Sequence, residues 1–291
     1  MIVSRIVCGA VIAVCMVGCS SDGTPLVSVP VTSANGQAVS VAALDGLDNM
    51  FGGTQFALQT LDGDFACVTG SVNITENDTP PLGQPNVGDS ITVTFDACTD
   101  ESGDQYDGTM TIRITQITGD LDNPPFALGI SVTFNLTITE GGDSFTATGG
   151  FNFTLSDDGA GGIGIVMSGT SFSISGMQDG APINQSLSNF RFELTFDEST
   201  GDYTVDFSGT ISTGDLGGAV TFDTTTPFQG TTSTEFLLEN PTAGVLEVTG
   251  AGGSKAILTV TGLNTVRIEI DEDGDGTFET TINTTWDALV N

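Results

Sequence analysis

Apolar and polar side chains alternate with a period of two along most of this 291-residue chain. Between Leu128 and Ile138, every second residue is apolar and the residues between them are Gly, Ser, Thr or Asn. The same alternation recurs in the segments 110–114, 145–155, 190–196, 203–207 and 266–270. Because successive side chains of a β-strand point to opposite faces of its sheet, each run predicts a strand with one buried face. The sequence therefore predicts an all-β fold.

The connections between these segments are short and rich in Gly and acidic residues, as at residues 140–143 and 197–202. Parallel strands would need crossover helices, and no connection shows the 3.6-residue period of an amphipathic helix. We therefore expect an antiparallel meander of roughly a dozen strands, forming a large curved sheet, a sandwich or a half-barrel. The alternation changes parity between Met167 and Phe172, which predicts a β-bulge at residues 168–171.

The charge of the chain excludes several classes of function. Five basic residues stand against 37 acidic ones, giving a formal net charge of -32, so nucleic-acid phosphates would be repelled and no nucleic-acid partner is expected. The chain has no histidine, which excludes Ser-His-Asp and Cys-His catalysis and metal sites built on imidazole. It also lacks a Gly-rich phosphate loop and a nucleophile elbow. We expect a protein that is not an enzyme.

The N-terminus is an apolar stretch with one early basic residue, Arg5, and its central apolar run is too short to span a membrane. The stretch ends in the sequence Met16 to Cys19, followed by the polar Ser20. This junction resembles a bacterial lipobox, which implies cleavage after a signal peptide over residues 1–18 and fatty acylation, with palmitate among the chains, of Cys19. The resemblance implies a lipid-anchored protein of the bacterial cell envelope, and Ser20 after the cysteine implies the outer membrane.

The remaining chain divides into a tether and a domain. Residues 19–40 are small, polar and Pro-containing, which predicts a flexible tether. Residues 41–291 form the β domain, and Val41 to Met50 is a candidate short helix at its start. Residues 223–244 interrupt the alternation with prolines and mark a possible seam between two subdomains.

Cysteine usage fits an oxidising compartment. Once the signal peptide and the lipidated cysteine are set aside, Cys67 and Cys98 remain, and an even pair in an exported domain predicts a disulfide. Both cysteines border alternating segments. If they face each other across an antiparallel hairpin, Val72 lies opposite Val93 on the same apolar face.

One loop carries the residue pattern of a cation site. Residues 271–279 read DEDGDGTFE, with oxygen ligands at loop positions 1, 3, 5, 7 and 9 and Gly at position 6 for the sharp turn, the hard-oxygen arrangement that Ca²⁺ prefers. The loop resembles the DxDxDG calcium loops of EF-hands and of extracellular β repeats, and Ile282 at position 12 makes the β-hairpin version the better comparison. The resemblance implies the following ligands: the side chains of Asp271, Asp273, Asp275 and Glu279, and the carbonyl of Thr277. The alternative is a solvated acidic turn.

A second acidic group has irregular spacing, and we interpret it as solvated rather than metal-binding. Its members are Asp96, Asp100, Glu101, Asp104 and Asp107.

Two functions follow from these features. The first is a non-catalytic, lipid-anchored envelope protein, a β scaffold that binds an unknown protein partner or ligand and is stapled by calcium. The alternative is a carrier that holds a hydrophobic ligand such as a lipid in an apolar concavity, as half-barrel lipoprotein carriers do. The layout of the whole chain resembles the poorly characterised acidic β lipoproteins of proteobacteria, a likeness that implies no particular activity.

Overall fold

The computed structural model of the protein describes residues 27–46, 67–80, 84–178, 180–232 and 240–290. These residues form one antiparallel sheet of 13 strands, which neighbour each other in chain order and do not close into a barrel. The predicted all-β meander is confirmed, and a single curved sheet is the form it takes. The strands are β1 (Thr69–Asn77), β2 (Ser90–Thr99), β3 (Gln105–Asp120), β4 (Asn123–Glu140), β5 (Asp143–Asp157), β6 (Gly162–Gln178), β7 (Ala181–Asp197), β8 (Asp202–Thr213), β9 (Gly218–Thr231), β10 (Ala243–Thr249), β11 (Lys255–Gly262), β12 (Thr265–Asp271) and β13 (Thr280–Thr285). The described helices are α1 (residues 36–46), a 3₁₀ turn (Ala251–Gly253) and α2 (Trp286–Val290).

One face of the sheet carries apolar side chains and the other carries mostly hydroxyl groups. The inner face carries the apolar side chains of every strand from β3 to β12, including the fully buried Phe192 and Ile268. The outer face carries hydroxyl groups, and the Oγ1 atoms of the paired Thr92 and Thr111 lie 3.0 Å apart. One row of mostly hydroxyl residues crosses ten strands through directly paired positions: Thr75, Thr92, Thr111, Thr133, Gly150, Ser171, Ser188, Thr210, Thr221 and Thr249.

Helix α1 covers part of the inner face. Val39 and Ala43 of this helix have no exposed surface and belong to the main core. At its start, Gly36 lies so close to β12 that a Cβ atom there would be 2.3 Å from Cδ1 of Ile270, so only glycine fits without rearrangement. In the described parts of the chain, no helix is long and apolar enough to cross a membrane.

The packed part of the chain begins earlier than the boundary at residue 41 that composition indicated. Val29 donates its N–H to the carbonyl of Ala219 at the start of β9 (3.1 Å), and Val31 is fully buried. The N–H of Val31 bonds to Oγ of the buried Ser254 at 2.8 Å. Residues 27–40 therefore pack on the sheet, because two valines with extended spacing anchor an otherwise polar segment. The rest of the expected tether, residues 19–26, lies outside the described residues.

The first helix is also shifted relative to the expectation of Val41 to Met50. It covers residues 36–46, and residues 47–50 lie outside the described part of the chain. The bend before it is fixed by Asn35, whose Oδ1 accepts the N–H of Thr32 at 2.7 Å.

The described sheet runs without interruption across the possible seam at 223–244. Strands β9 and β10 pair directly, with Val248 opposite Phe222, and both side chains belong to the main core. Residues 233–239 of that range lie outside the described part. Strands β9 and β10, which both extend into this range, therefore share one sheet and one core.

The predicted disulfide is confirmed. Cys67 and Cys98 form a disulfide bond, with their Cα atoms 5.2 Å apart. The two cysteines are 31 positions apart in the sequence. Cys98 is fully buried in a small second core at the β1 end of the sheet. The buried members of that core are Val93, Phe95, Cys98 and Leu136.

The register proposed for this hairpin is wrong by two residues. Val72 lies opposite Phe95 and not opposite Val93. The difference arises because the bonded cysteines are not directly opposite each other: beside the disulfide Thr69 pairs with Thr99, and a β-bulge at Gly70 (φ of 75°) and Ala97 (φ of 47°) then changes the register by one residue. A shift of two residues keeps every side chain on its expected face, so the alternation alone could not reveal it.

The predicted bulge in β6 is confirmed. Gly150 pairs with Ser171 and Asn152 pairs with Ser168, so β6 has one residue more than β5 between these two pairs. The neighbouring strand β7 is irregular at the same level, with Asn189 at φ of 49°. The β6 bulge changes which positions of that strand face inward, odd-numbered up to Met167 and even-numbered from Phe172, so its apolar side chains stay on the inner face.

The packing of α1 gives a test of the fold. We expect Val39→Asp to lower the free energy of unfolding by several kcal/mol, because it places an unpaired carboxylate in the core. Ala38→Asp on the exposed side of the same helix is the matched control, with an expected change within about 0.5 kcal/mol. Urea unfolding followed by circular dichroism measures both. Equal effects in the two variants would contradict the observed packing of α1.

Candidate metal centre

The acidic loop, defined as residues 271–279, connects β12 to β13. Four of its carboxylates, those of Asp271, Asp273, Asp275 and Glu279, each place an oxygen within 4.8 Å of the others. The structure thus brings together the four side chains that the sequence predicted as ligands. Such a group could bind a metal ion.

Asp271 organises the loop from its buried base. It is the last residue of β12 and has no exposed surface. Its Oδ1 accepts the N–H of Gly274 at 2.7 Å, and its Oδ2 accepts the N–H of Gly276 at 2.9 Å. Both glycines have positive φ, 75° and 90°, a conformation that is costly for residues with a Cβ. The Gly-Asp-Gly spacing of the motif therefore lets the loop fold back onto its first carboxylate.

The remaining carboxylates are held by local bonds. Oδ1 of Asp273 accepts the N–H of Asp275 at 3.1 Å, and Oδ1 of Asp275 accepts the N–H of Thr277 at 2.7 Å. Oε2 of Glu279 accepts the N–H of Glu272 at 2.7 Å, which ties the end of the loop to its beginning. Since like charges this close repel, a bound cation would relieve the repulsion between the preorganised carboxylates.

The residue that corresponds to position 12 of an EF-hand loop lies beyond the acidic loop, in β13, and contributes no carboxylate. This residue is Ile282, which lies opposite Ile268 in the β12–β13 pair and packs against the main core. A bidentate ligand from that position, as in an EF-hand, is therefore impossible. Glu279 at position nine supplies the carboxylate after the turn. The carbonyl ligand predicted at Thr277 stays a prediction.

The loop also contacts the N-terminal segment, defined as residues 27–35 before α1, a contact that the sequence did not predict. Oε1 of Glu272 accepts the N–H of Ser33 just before α1 at 2.8 Å, and bonding to Ser33 lowers the pKa of this carboxyl. On another side the loop packs on the 3₁₀ turn, where a Cβ at Gly274 would lie 2.9 Å from the carbonyl oxygen of Gly252. Residues 33 and 272 are 239 positions apart, so no local pattern could have indicated this contact.

The second acidic group holds a turn. Oδ1 of Asp100 accepts the backbone N–H groups of Ser102 at 2.9 Å and of Gly103 and Asp104 at 3.0 Å. Partial burial raises the pKa of Asp100, but the hydrogen bonds from Ser102 and Asp104 outweigh it and the net shift is downward. The Asp100 carboxylate is thus a turn acceptor, whereas among the described residues it is the acidic loop whose carboxylates converge.

The contact between the loop and the N-terminal segment can be tested by hydrogen exchange. We expect Glu272→Ala to speed exchange of the amides of residues 29–40 several-fold at neutral pH, because the acceptor for Ser33 is lost. Exchange in β4 should not change. Glu101→Ala, which removes an exposed carboxylate elsewhere, is the control. Unchanged exchange in Glu272→Ala would show that this bond does not hold the segment.

The predicted lipidation residue, Cys19, lies outside the described residues. Comparison with known proteins finds no matching family model, curated protein or solved structure. The case for a function therefore depends on the fold, the acidic loop and the sequence.

Proposed function

We propose that this protein is a non-catalytic, lipid-anchored protein of the cell envelope whose β scaffold is stapled by a calcium ion and binds a protein partner or ligand. The observation that supports it most is the convergence of four carboxylates within 4.8 Å. They converge where the last hairpin, the 3₁₀ turn and the N-terminal segment meet.

Calcium is the cation that fits this ligand set best. All the proposed donors are carboxylate or carbonyl oxygens, which are hard ligands that suit Ca²⁺, Mg²⁺ or Mn²⁺ rather than Zn²⁺ or Cu²⁺. The loop is a partly exposed, irregular turn, and Ca²⁺ accepts such variable geometry more readily than Mg²⁺, which needs a near-ideal octahedron. With no bidentate ligand at position 12, we expect a Kd of about 10⁻⁴–10⁻³ M, as in extracellular modules.

The site is placed to stabilise the whole sheet. A cation that binds the folded loop and not the unfolded chain shifts the equilibrium toward the folded state. Through Glu272 and Ser33 this stabilisation extends to the segment that leads into α1. The lipid at Cys19 would attach eight residues before this segment, so the ion would hold the end of the domain nearest the membrane.

The filled inner face favours a scaffold over a carrier. Across β7 to β12 the apolar face is occupied by its own side chains and by α1, with Phe207, Ile211 and Leu258 fully buried. The strong acidity of the surface would repel anionic neighbours and favour a basic partner. The absence of histidine from the sequence supports a role without catalysis.

One observation supports the carrier as the second candidate. On the inner face of β4 to β6, six apolar side chains are only partly buried, although others there, such as Val132 and Met167, are buried. The six are Leu128, Phe134, Phe145, Ala147, Leu155 and Ile163. This half of the face is where a hydrophobic ligand would bind.

Calcium binding can be tested on the folded protein. We expect wild type to melt several degrees higher in millimolar calcium than in chelator, because the ion binds only the folded loop. Asp273→Asn with Asp275→Asn should lose that difference, while Glu101→Gln with Glu198→Gln removes the same charge from exposed sites and should keep it. The measurement is a thermal melt by circular dichroism. A melting temperature that is insensitive to calcium in wild type would contradict the site.

Native mass spectrometry of the same samples separates the two functions. A calcium-sized mass that chelator removes, with no other bound mass, supports the scaffold. A co-purifying mass of lipid size supports the carrier and directs attention to β4–β6.

The lipid anchor has its own test. We expect cells that express the chain to incorporate labelled palmitate into it, and Cys19→Ala to abolish the incorporation, because the thiol is the acylation site. Cys15→Ala is the matched control, since that cysteine lies in the same N-terminal stretch and should not be required. Label that survives Cys19→Ala would contradict the lipoprotein assignment.

A further inference from the structure

In the described part of the chain, β1 is the outermost strand at one edge of the sheet. It pairs with β2 on one side, and among the described residues no strand pairs with its other side. Eight of its nine residues are exposed. An edge of this kind presents a row of unpaired N–H and C=O groups to solvent and can template pairing with another strand.

Apart from the β-bulge at Gly70, which lies at the disulfide end of β1, this edge has few of the devices that usually prevent such pairing. Edges are commonly protected by Pro, Lys or several charges. The β1 sequence TGSVNITEN contains neither Pro nor Lys and has one charged residue, Glu76, in a protein with 37 acidic residues. Ile74 is 45% exposed on the edge.

The other edge is less accessible. Four of the six residues of β13 are partly buried, and the strand leads directly into α2, whose Trp286 is buried. Ring contact with Phe228, at a centroid distance of 6.2 Å, ties this end to the core. The two edges are thus unequal, which favours β1 joining to β1 over β1 joining to β13.

We propose that β1 pairs antiparallel with β1 of a second copy across a twofold axis, with Asn73 opposite Asn73, so that two sheets join into one. The strand is self-complementary in this register. The regular part of the strand around the axis, residues 71–75, pairs with itself, and Val72 meets Ile74 of the second copy on the inner face. On the outer face Ser71 meets Thr75, which extends the hydroxyl surface. A slip of one residue would put apolar side chains on the hydroxyl face.

The strong negative charge of the protein favours a contact between two copies through β1 over contacts through more acidic surfaces. Two copies with a net charge of -32 repel each other, so a contact must use a surface of low charge. In the proposed register, the Glu76 side chains of the two copies lie six residues apart along the pair, about 20 Å at 3.4 Å per residue. This is more than twice the Debye length of about 8 Å at physiological salt. A slip of two residues in one direction would place Glu76 opposite Val72 and is disfavoured.

Cysteine cross-linking of the full-length chain in membranes tests the proposal. At the twofold axis the two residues 73 face each other directly, within reach of a disulfide, so Asn73→Cys should give a covalent dimer on a non-reducing gel. Thr94→Cys is the matched control, because Thr94 pairs with Asn73 one strand inward on the same outer face and is exposed. Its counterpart would lie three strand spacings away, about 14 Å, which a disulfide cannot bridge.

A second variant and a mixing experiment make the outcome decisive. Adding Ile74→Lys to Asn73→Cys should abolish the dimer, while an intact Cys67–Cys98 bond and an unchanged melting temperature show that the fold is kept. Co-expressed chains carrying Asn73→Cys or Asn283→Cys test β1 against β13. The proposal is overturned if Asn73→Cys stays monomeric, if Thr94→Cys cross-links equally, or if residue 73 bonds to residue 283 instead of to itself.

Discussion

In the part of the chain that the structure describes, a single sheet of 13 strands has one apolar face, and no second sheet covers it. This constraint governs the rest of the structure, because exposed apolar area on that scale would drive aggregation. The chain meets it by curving the sheet and by returning its own N-terminal segment and α1 to the inner face. Val31, Val39 and Ala43 are buried there as completely as the strand residues they cover.

The covering segment must be held in place by contacts outside the sheet ladder. Val29 bonds to Ala219, Val31 bonds to Ser254, and the N–H of Ser33 bonds to Glu272 in the acidic loop. The loop is therefore part of the attachment of the covering segment, and a cation there would act on the same element that buries the core. Both this contact and the convergence of the four carboxylates distinguish the acidic loop from the other acidic turns of the described residues.

Much of the fold and of the site was predictable because it depends on local rules. Alternation predicted the strands and their faces, and a parity change predicted the bulge at 168–171. Export context predicted the Cys67–Cys98 bond. The motif spacing predicted that Asp271, Asp273 and Asp275 would converge with Glu279, since an Asp-x-Asp-x-Asp-Gly turn folds back on itself.

The sequence by itself determined the strands that alternate regularly, the apolar face of each and where carboxylates gather. Each of these follows from the side-chain period of a strand or from the conformational freedom of glycine. The extension of β9 through residues 223–231, in contrast, was visible only in the structure. Only the tertiary structure decided the two-residue register shift at Val72, because such a shift leaves every face unchanged. Only the tertiary structure decided that residues 27–40 join the core and that Glu272 meets Ser33. Those contacts join residues far apart in sequence, and their strength comes from burial in the assembled sheet rather than from local pattern.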